Sequence, residues 1–138
     1  MKIKVLLVMP NKETQIVKIP ANIKFIKAFI GEELYKIKLD KNNILIANKN
    51  AELDQFNRIL RGNIILGTFL VISLKNNRRV SMKKRDIRKF TNYFKLRKHQ
   101  NKVNTLKDEF LEEYYINQKI KKQENTKRNR KFIFDIAA

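Results

Sequence analysis

The stretch Ile64-Ile65-Leu66-Gly67-Thr68-Phe69-Leu70-Val71-Ile72-Ser73-Leu74 decides the fold class. It is apolar enough to lie inside a sheet covered on both faces, where strands read as near-continuous hydrophobic runs. With Gly67, Thr68 and Ser73 inside it, it falls well short of the ~20 apolar residues that a membrane span requires. The spacing predicts a long central strand, with Gly67 a bulge or a point of close backbone approach.

Working outward toward the N-terminus, shorter strands arrive in pairs. Lys2-Ile3-Lys4-Val5-Leu6-Leu7-Val8-Met9 alternates and then runs apolar, Pro10-Asn11-Lys12-Glu13 carries turn chemistry, and Thr14-Gln15-Ile16-Val17-Lys18-Ile19 returns, which predicts a hairpin. The opening run has two positive charges before an apolar segment, as a signal peptide does, but it stops at Pro10 and lacks a small-residue cleavage site. A soluble protein is therefore expected. Asn22 is placed to cap a short helix in which Ile23, Phe25, Ile26, Phe29 and Ile30 fall near helical spacing, and Gly31 stands at its C-terminal cap. A second hairpin is predicted from the alternating residues 34–39, the turn Asp40-Lys41-Asn42-Asn43, and Ile44-Leu45-Ile46-Ala47. Residues 48–62 read as a polar loop with one or two helical turns within residues 53–60.

Past Leu74 the texture changes. Asn76-Asn77-Arg78-Arg79 reads as a turn, and Ile87, Phe90, Tyr93, Phe94 and Leu96 mark a helix. Val103, Leu106, Phe110, Leu111, Tyr114 and Ile120 follow the i, i+3, i+4 rule on a second helix over residues 104–122, roughly 28 Å long at ~1.5 Å per residue. The expected fold is α+β: a small mixed or antiparallel sheet with a short helix, followed by two C-terminal basic amphipathic helices. The expected organisation is a compact domain over residues 1–98, a helical extension over 99–122, and a basic tail over 123–138 whose Phe132-Ile133-Phe134-Asp135-Ile136 has the pattern of an edge strand. There is no internal repeat.

Composition narrows the function. Of 138 residues, 32 are Lys or Arg against 13 Asp or Glu, a formal net charge of +19. Residues 1–74 carry 12 basic and 6 acidic side chains, whereas residues 75–138 carry 20 and 7, so the excess lies in the second half. Charge of this size destabilises the compact state by self-repulsion and points to a polyanionic partner. Cysteine is absent, which excludes a disulfide scaffold, thiol catalysis and thiolate metal sites, and fits a reducing compartment, here the cytoplasm. The single histidine, His99, leaves little material for a zinc site or a histidine-based triad, and reads as part of a helix-helix connection. Gly31, Gly62 and Gly67 stand alone, so no phosphate-cradling loop is present. Neither a cofactor nor a metal nor an enzymatic activity is expected.

The sharpest cluster is Arg78, Arg79, Lys83, Lys84 and Arg85, before or within the first turn of the first basic helix. A helix N-terminus already carries partial positive charge and unpaired N–H groups, so cations there are unfavourable by up to ~1 kcal/mol each, a conflict that a bound phosphate resolves. The same helix continues with Arg88, Lys89, Lys95, Arg97 and Lys98, and the tail adds Lys127, Arg128, Arg130 and Lys131. The competing reading of both groups is a solvated basic face. Helical spacing assigns Phe90, Phe94, Phe110 and Tyr114 to the core and leaves Tyr93 and Tyr115 as the exposed rings that would stack on bases. Asp108 with Glu112, and Glu109 with Glu113, are like-charge i, i+4 pairs without a lysine three or four residues away. They read as complementing a helix start, with basic residues of neighbouring elements screening the rest, rather than as a two-metal centre.

Several short motifs, in order, resemble a small phage- and plasmid-borne family catalogued as domain of unknown function 3846. They are Lys4-Val5-Leu6-Leu7-Val8-Met9-Pro10, Gly31 before an alternating strand, Leu45-Ile46-Ala47-Asn48, the pair Asn57-Arg58, Ile65-Leu66-Gly67-Thr68-Phe69-Leu70-Val71-Ile72, and Val80-Ser81-Met82 followed by Ile87-Arg88-Lys89-Phe90. The resemblance covers residues 1–96, and departs from the family where Lys49 and Asn50 replace an acidic residue and a glycine. It implies a compact α+β domain and a mobile-element context, not a mechanism. The expected function is a non-enzymatic accessory protein that binds nucleic acid or a nucleoprotein complex through its basic half. The alternatives are an inhibitor that docks onto a host defence protein, as anti-CRISPR or anti-restriction proteins do, and a structural component of a ribonucleoprotein.

Overall fold

The computed structural model describes residues 1–52 and 54–99. Its elements run β1 (Lys2–Val8), β2 (Gln15–Pro20), α1 (Ile23–Ile30), β3 (Leu34–Lys38), β4 (Asn43–Asn48), β5 (Phe56–Leu60), β6 (Asn63–Leu66), β7 (Phe69–Lys75), β8 (Arg78–Val80) and α2 (Lys84–Tyr93). The fold is α+β, and every strand pairing is antiparallel. The main sheet has the order β2-β1-β7-β4-β3, with β8 alongside the end of β7, while β5 and β6 form a separate two-stranded ribbon.

Cross-strand register explains why the centre of the sheet is so apolar. Leu6, Val71, Leu45 and Ile37 stand side by side in one row, and Val8, Phe69, Ala47 and Tyr35 in the next. Both rows face α2 and the β5–β6 ribbon, where Leu60, Ile65, Met82, Phe90 and Phe94 close over them. The alternate residues Ile3, Val5, Leu7, Ile46, Leu70 and Ile72 face the other way and are covered by Ile26 and Ile30 of α1. Strand residues alternate between faces, so β7 sends Phe69 and Val71 to one layer and Leu70 and Ile72 to the other. Each such side chain removed from water stabilises the fold by about 1.5–3 kcal/mol.

Both expected hairpins and the first helix form as their sequences require. Asn22 has extended backbone angles and its side-chain oxygen accepts from the Phe25 N–H at 2.7 Å, while Gly31 closes the helix at φ 150°. In the turn between β3 and β4, Asp40 Oδ1 accepts from the backbone N–H of Asn42 and of Asn43, each at 2.9 Å. The Asn43 side chain, itself buried, accepts from the Ser73 hydroxyl and so ties this turn to β7.

Three sequence expectations require correction. Residues 56–60 are a fully buried strand, β5, rather than helical turns in a polar loop. The polar pair Asn57-Arg58 disguised it, since both side chains are buried yet hydrogen-bonded. The long apolar run is two strands and not one: β6 and β7 belong to different sheets, and the chain breaks at Gly67, which sits at φ 72°. Asn57 Nδ2 donates to the Gly67 carbonyl at 2.7 Å, and Gly67 donates to the Gln55 carbonyl at 2.6 Å, fixing that break. Finally, Asn76 and Asn77 alone form the turn, with φ of 52° and 62°, as two-residue hairpin loops demand. Arg78 and Arg79 belong to β8, paired with Lys75 and Leu74. The second expected helix, residues 104–122, and the tail lie outside the described residues.

Glycine substitutions separate backbone strain from crowding. Gly62, at φ 81°, has nothing within 4 Å of an added Cβ, whereas at Gly67 that atom would lie 3.0 Å from the Ala51 Cβ. Gly62→Ala should destabilise by about 1 kcal/mol from conformation alone. Gly67→Ala should cost about 2–3 kcal/mol, because Ala51 must also move. Urea unfolding midpoints check the difference.

Candidate nucleic-acid interface

α2 forms because Ile87 and Phe90, three residues apart, face the sheet, and Phe94 completes the stripe immediately after the helix. Lys83 occupies the N-cap position without a side-chain capping bond. Asp86 lies in the first turn and is buried, so the chain itself places a negative charge where the helix dipole favours one. The demand of this helix start for an anion is thus met in part internally, which the count of neighbouring cations did not reveal.

The outer side of α2 and the face of the β1–β2 hairpin enclose a groove of about 890 Å³. Lys84, Arg85, Arg88 and Lys89 of α2 and Lys95 just beyond it line one wall, and Lys4 and Ile16 of the hairpin line the other, with Ile87 also in the lining. No carboxylate contributes to the lining. The ammonium of Lys89 lies 3.1 Å from Asp40, in the one ion pair among the described residues. Thr91 Oγ1, at the groove wall, is buried and has no hydrogen-bond partner among the described residues.

Lys4 and Ile16 were not recognised as site residues from the sequence. The signal was the alternation Lys2-Ile3-Lys4 ahead of Leu6: the face of β1 that is apolar under α2 becomes basic beyond it. Across the hairpin Lys4 pairs with Lys18 and Leu6 with Ile16, so the exposed Lys2, Lys4 and Lys18 extend the positive surface away from the helix.

Of the expected site residues, the fold brings together Lys84, Arg85, Arg88, Lys89 and Lys95. Arg78, Arg79 and Lys83 lie on β8 and at the helix cap, outside the groove lining. Arg97 and Lys98 are exposed on the helical residues 96–99, where Lys98 Nζ donates to Asn92 Oδ1 at 3.2 Å. Lys127, Arg128, Arg130 and Lys131 lie outside the described residues. Phe90 and Phe94 are core, as their spacing predicted. Tyr93 is 41% exposed, but its ring packs on Phe94 and His99, and no aromatic ring lines the groove.

Both walls are held from behind by Arg58, which is 0% exposed. Its Nε donates to the Phe94 carbonyl at the end of α2 at 2.8 Å, Nη1 donates to Asn57 Oδ1 at 2.9 Å and more weakly to the Met9 carbonyl, and Nη2 donates to the Lys12 carbonyl. Burial pushes its pKa below the usual guanidinium value, an effect that the charge of nearby Glu13 opposes. Glu13 in turn accepts from the Leu96 N–H at 2.9 Å. His99, the last described residue, is buried against the same region. Its Nδ1 accepts from the Ile59 N–H at 3.1 Å, and its Nε2 lies 2.6 Å from the Tyr93 carbonyl, which can only accept, so the bridging form carries its proton on Nε2.

Among the described residues no group of three or more His, Cys, Asp or Glu side chains could hold a metal ion, and no helix is long and apolar enough to cross a membrane. The fold and groove define a small α+β protein with a basic cleft beside its last described helix. Residues 1–95 match the family model described as a domain of unknown function, DUF3846, and the chain belongs to that family. No curated protein and no solved structure matches it.

Two substitutions test the scaffold. Arg58→Lys keeps the charge but not the planar fork, and should destabilise by about 3–5 kcal/mol by leaving buried carbonyls unpaired; thermal unfolding measures this. For Asp40, burial raises the pKa, but hydrogen bonds from Asn42, Lys89 and Asn43 and the Lys89 charge outweigh it, leaving the pKa below the ordinary carboxylate value. A lowered folded-state pKa contributes stability that is full above the unfolded value and is lost as pH falls through the folded one. Asp40→Asn should therefore flatten the acid limb of a stability-against-pH curve below about pH 4.

Proposed function

We propose that the chain is a non-enzymatic accessory protein that binds nucleic acid, alone or within a nucleoprotein complex, through phosphates seated in the groove between α2 and the β1–β2 hairpin. The observation that carries this reading is the convergence of Lys4, Lys84, Arg85, Arg88 and Lys95 on one cleft whose lining contains no carboxylate. Lining without aromatic rings supports contact with the backbone rather than with stacked bases, so affinity should depend weakly on sequence. Arg78, Arg79 and Lys83, together with the tail, would then extend the electrostatic footprint without shaping the site. A cytoplasmic setting in the host of a mobile element fits this reading, as does a compact domain over residues 1–98 with a helical extension and a basic tail.

A second reading is favoured by Ile16 and Ile87, which give the groove an apolar strip suited to a protein surface. On that reading the protein is a phage- or plasmid-type inhibitor whose cleft accepts an acidic segment of a host defence protein. A third reading, a structural component of a ribonucleoprotein, is supported by the high charge and small size alone.

Salt titration separates the first two. Binding to a duplex across about five phosphates predicts a log-log slope on the order of −4 to −5. The triple variant Lys4→Ala, Lys84→Ala, Arg88→Ala should flatten that slope by about 3, more than Arg78→Ala, Arg79→Ala, Lys83→Ala or neutralisation of the tail at Lys127, Arg128 and Arg130. Slopes unchanged by the groove variant, with a host protein retained at high salt, would transfer the assignment to the inhibitor reading.

A further inference from the structure

We infer that the acidic stretch Asp108-Glu109-Phe110-Leu111-Glu112-Glu113 of this same chain docks into the basic groove and competes there with the polyanion. The regulatory part of this inference rests on reading the groove as the phosphate site, whereas the docking rests on the chemistry of the two segments. The groove gathers five cations without an ion-pair partner among the described residues, and no carboxylate. The stretch has the converse composition. Four of its six residues are acidic, and at i, i+4 spacing they repel one another with no lysine three or four residues away to relieve them.

The apolar parts also correspond. In the helix that the sequence predicts over residues 104–122, Glu109 and Glu113 fall beside Leu106 and Phe110 on one face. In composition, that pattern of two carboxylates beside two apolar residues matches a groove of cations around the strip made by Ile16 and Ile87.

Chain length permits the contact. Lys95 lines the groove, and only 12 residues separate it from Asp108. With residues 96–99 helical, that segment spans roughly 18 Å if the helix continues and up to about 33 Å if the remaining eight residues extend, against about 15 Å for the whole of α2. A tether this short holds the acidic stretch at an effective concentration in the millimolar range, so modest charge complementarity suffices to occupy the site. A nucleic acid must then displace it, which discriminates against weak or short polyanions without any base contact.

Zero-length carbodiimide coupling of the full chain at low salt reads the docking directly. Amide bonds joining Lys4, Lys84 or Lys95 to residues 108–113 within one chain are expected, isotope-mixed samples distinguishing them from bonds between chains. Their absence, or their occurrence between chains only, overturns the inference and leaves the phosphate reading untouched. Competition is read with a 20-base-pair duplex. Asp108→Asn, Glu109→Gln, Glu112→Gln, Glu113→Gln should tighten binding about 10-fold more than Glu32→Gln, Glu33→Gln, Glu52→Gln, Asp54→Asn, which raises the net charge equally at exposed sites away from the groove. Equal tightening by the two sets overturns the competition. Intrachain bonds together with no duplex binding by any variant would uphold the docking and sink the phosphate reading.

Discussion

A buried guanidinium with no ion-pair partner among the described residues organises this protein. Arg58 reaches three separate parts of the chain, the turn after β1, its neighbour Asn57 and the end of α2, and its charge is met by oxygens of the backbone and of one amide. A charge withdrawn from water is tolerated only where such partners are fixed in place. The turn and the helix end are therefore held together, and the β1–β2 hairpin and α2 to which they belong carry the residues that line the groove. Asn57 extends the same logic by donating to the carbonyls of Val8 and Gly67. Stability and site geometry consequently share one set of hydrogen bonds, with Glu13 and His99 completing it at the two ends of residues 96–99.

A second chain of polar contacts ties α2 to the turn between β3 and β4. Lys89 meets Asp40, Asp40 holds Asn43, and Asn43 accepts from Ser73 on the central strand. The helix is thus anchored to the sheet at its outer edge and at its end, with Phe90 and Phe94 packed between. Its remaining cations, Lys84, Arg85 and Arg88, have no such anchors among the described residues and leave the groove positively charged.

Much of the fold was legible in the sequence because local rules and tertiary packing agree there. The two hairpins, the Asn22 cap and the core positions of Phe90 and Phe94 follow from periodicity and turn chemistry. The β5–β6 ribbon was not legible, because a buried strand whose middle is Asn57-Arg58 violates the apolar pattern for the sake of distant carbonyls. Nor was the break at Gly67, since an apolar run does not announce that its two halves belong to different sheets. For the site, the helix cations could be read along one element, but Lys4 and Ile16 join them only through cross-strand register, a relation between residues far apart in sequence. Asp86 altered the electrostatic argument at the helix start for the opposite reason: it was local, and a tally of cations passed over it.

The cations on the outer strands act in another way as well. β2 and β3 are the two edges of the main sheet, and such edges offer unpaired backbone groups to any passing strand. β3 carries exposed Lys36 and Lys38, and β2 carries exposed Lys18 and ends at Pro20, which has no N–H to give. Strand-to-strand stacking of copies would bring these ammonium groups together and interrupt the ladder at the proline. Some of the +19 charge therefore acts as a barrier to fibre formation, in a chain whose central strands are otherwise well suited to it.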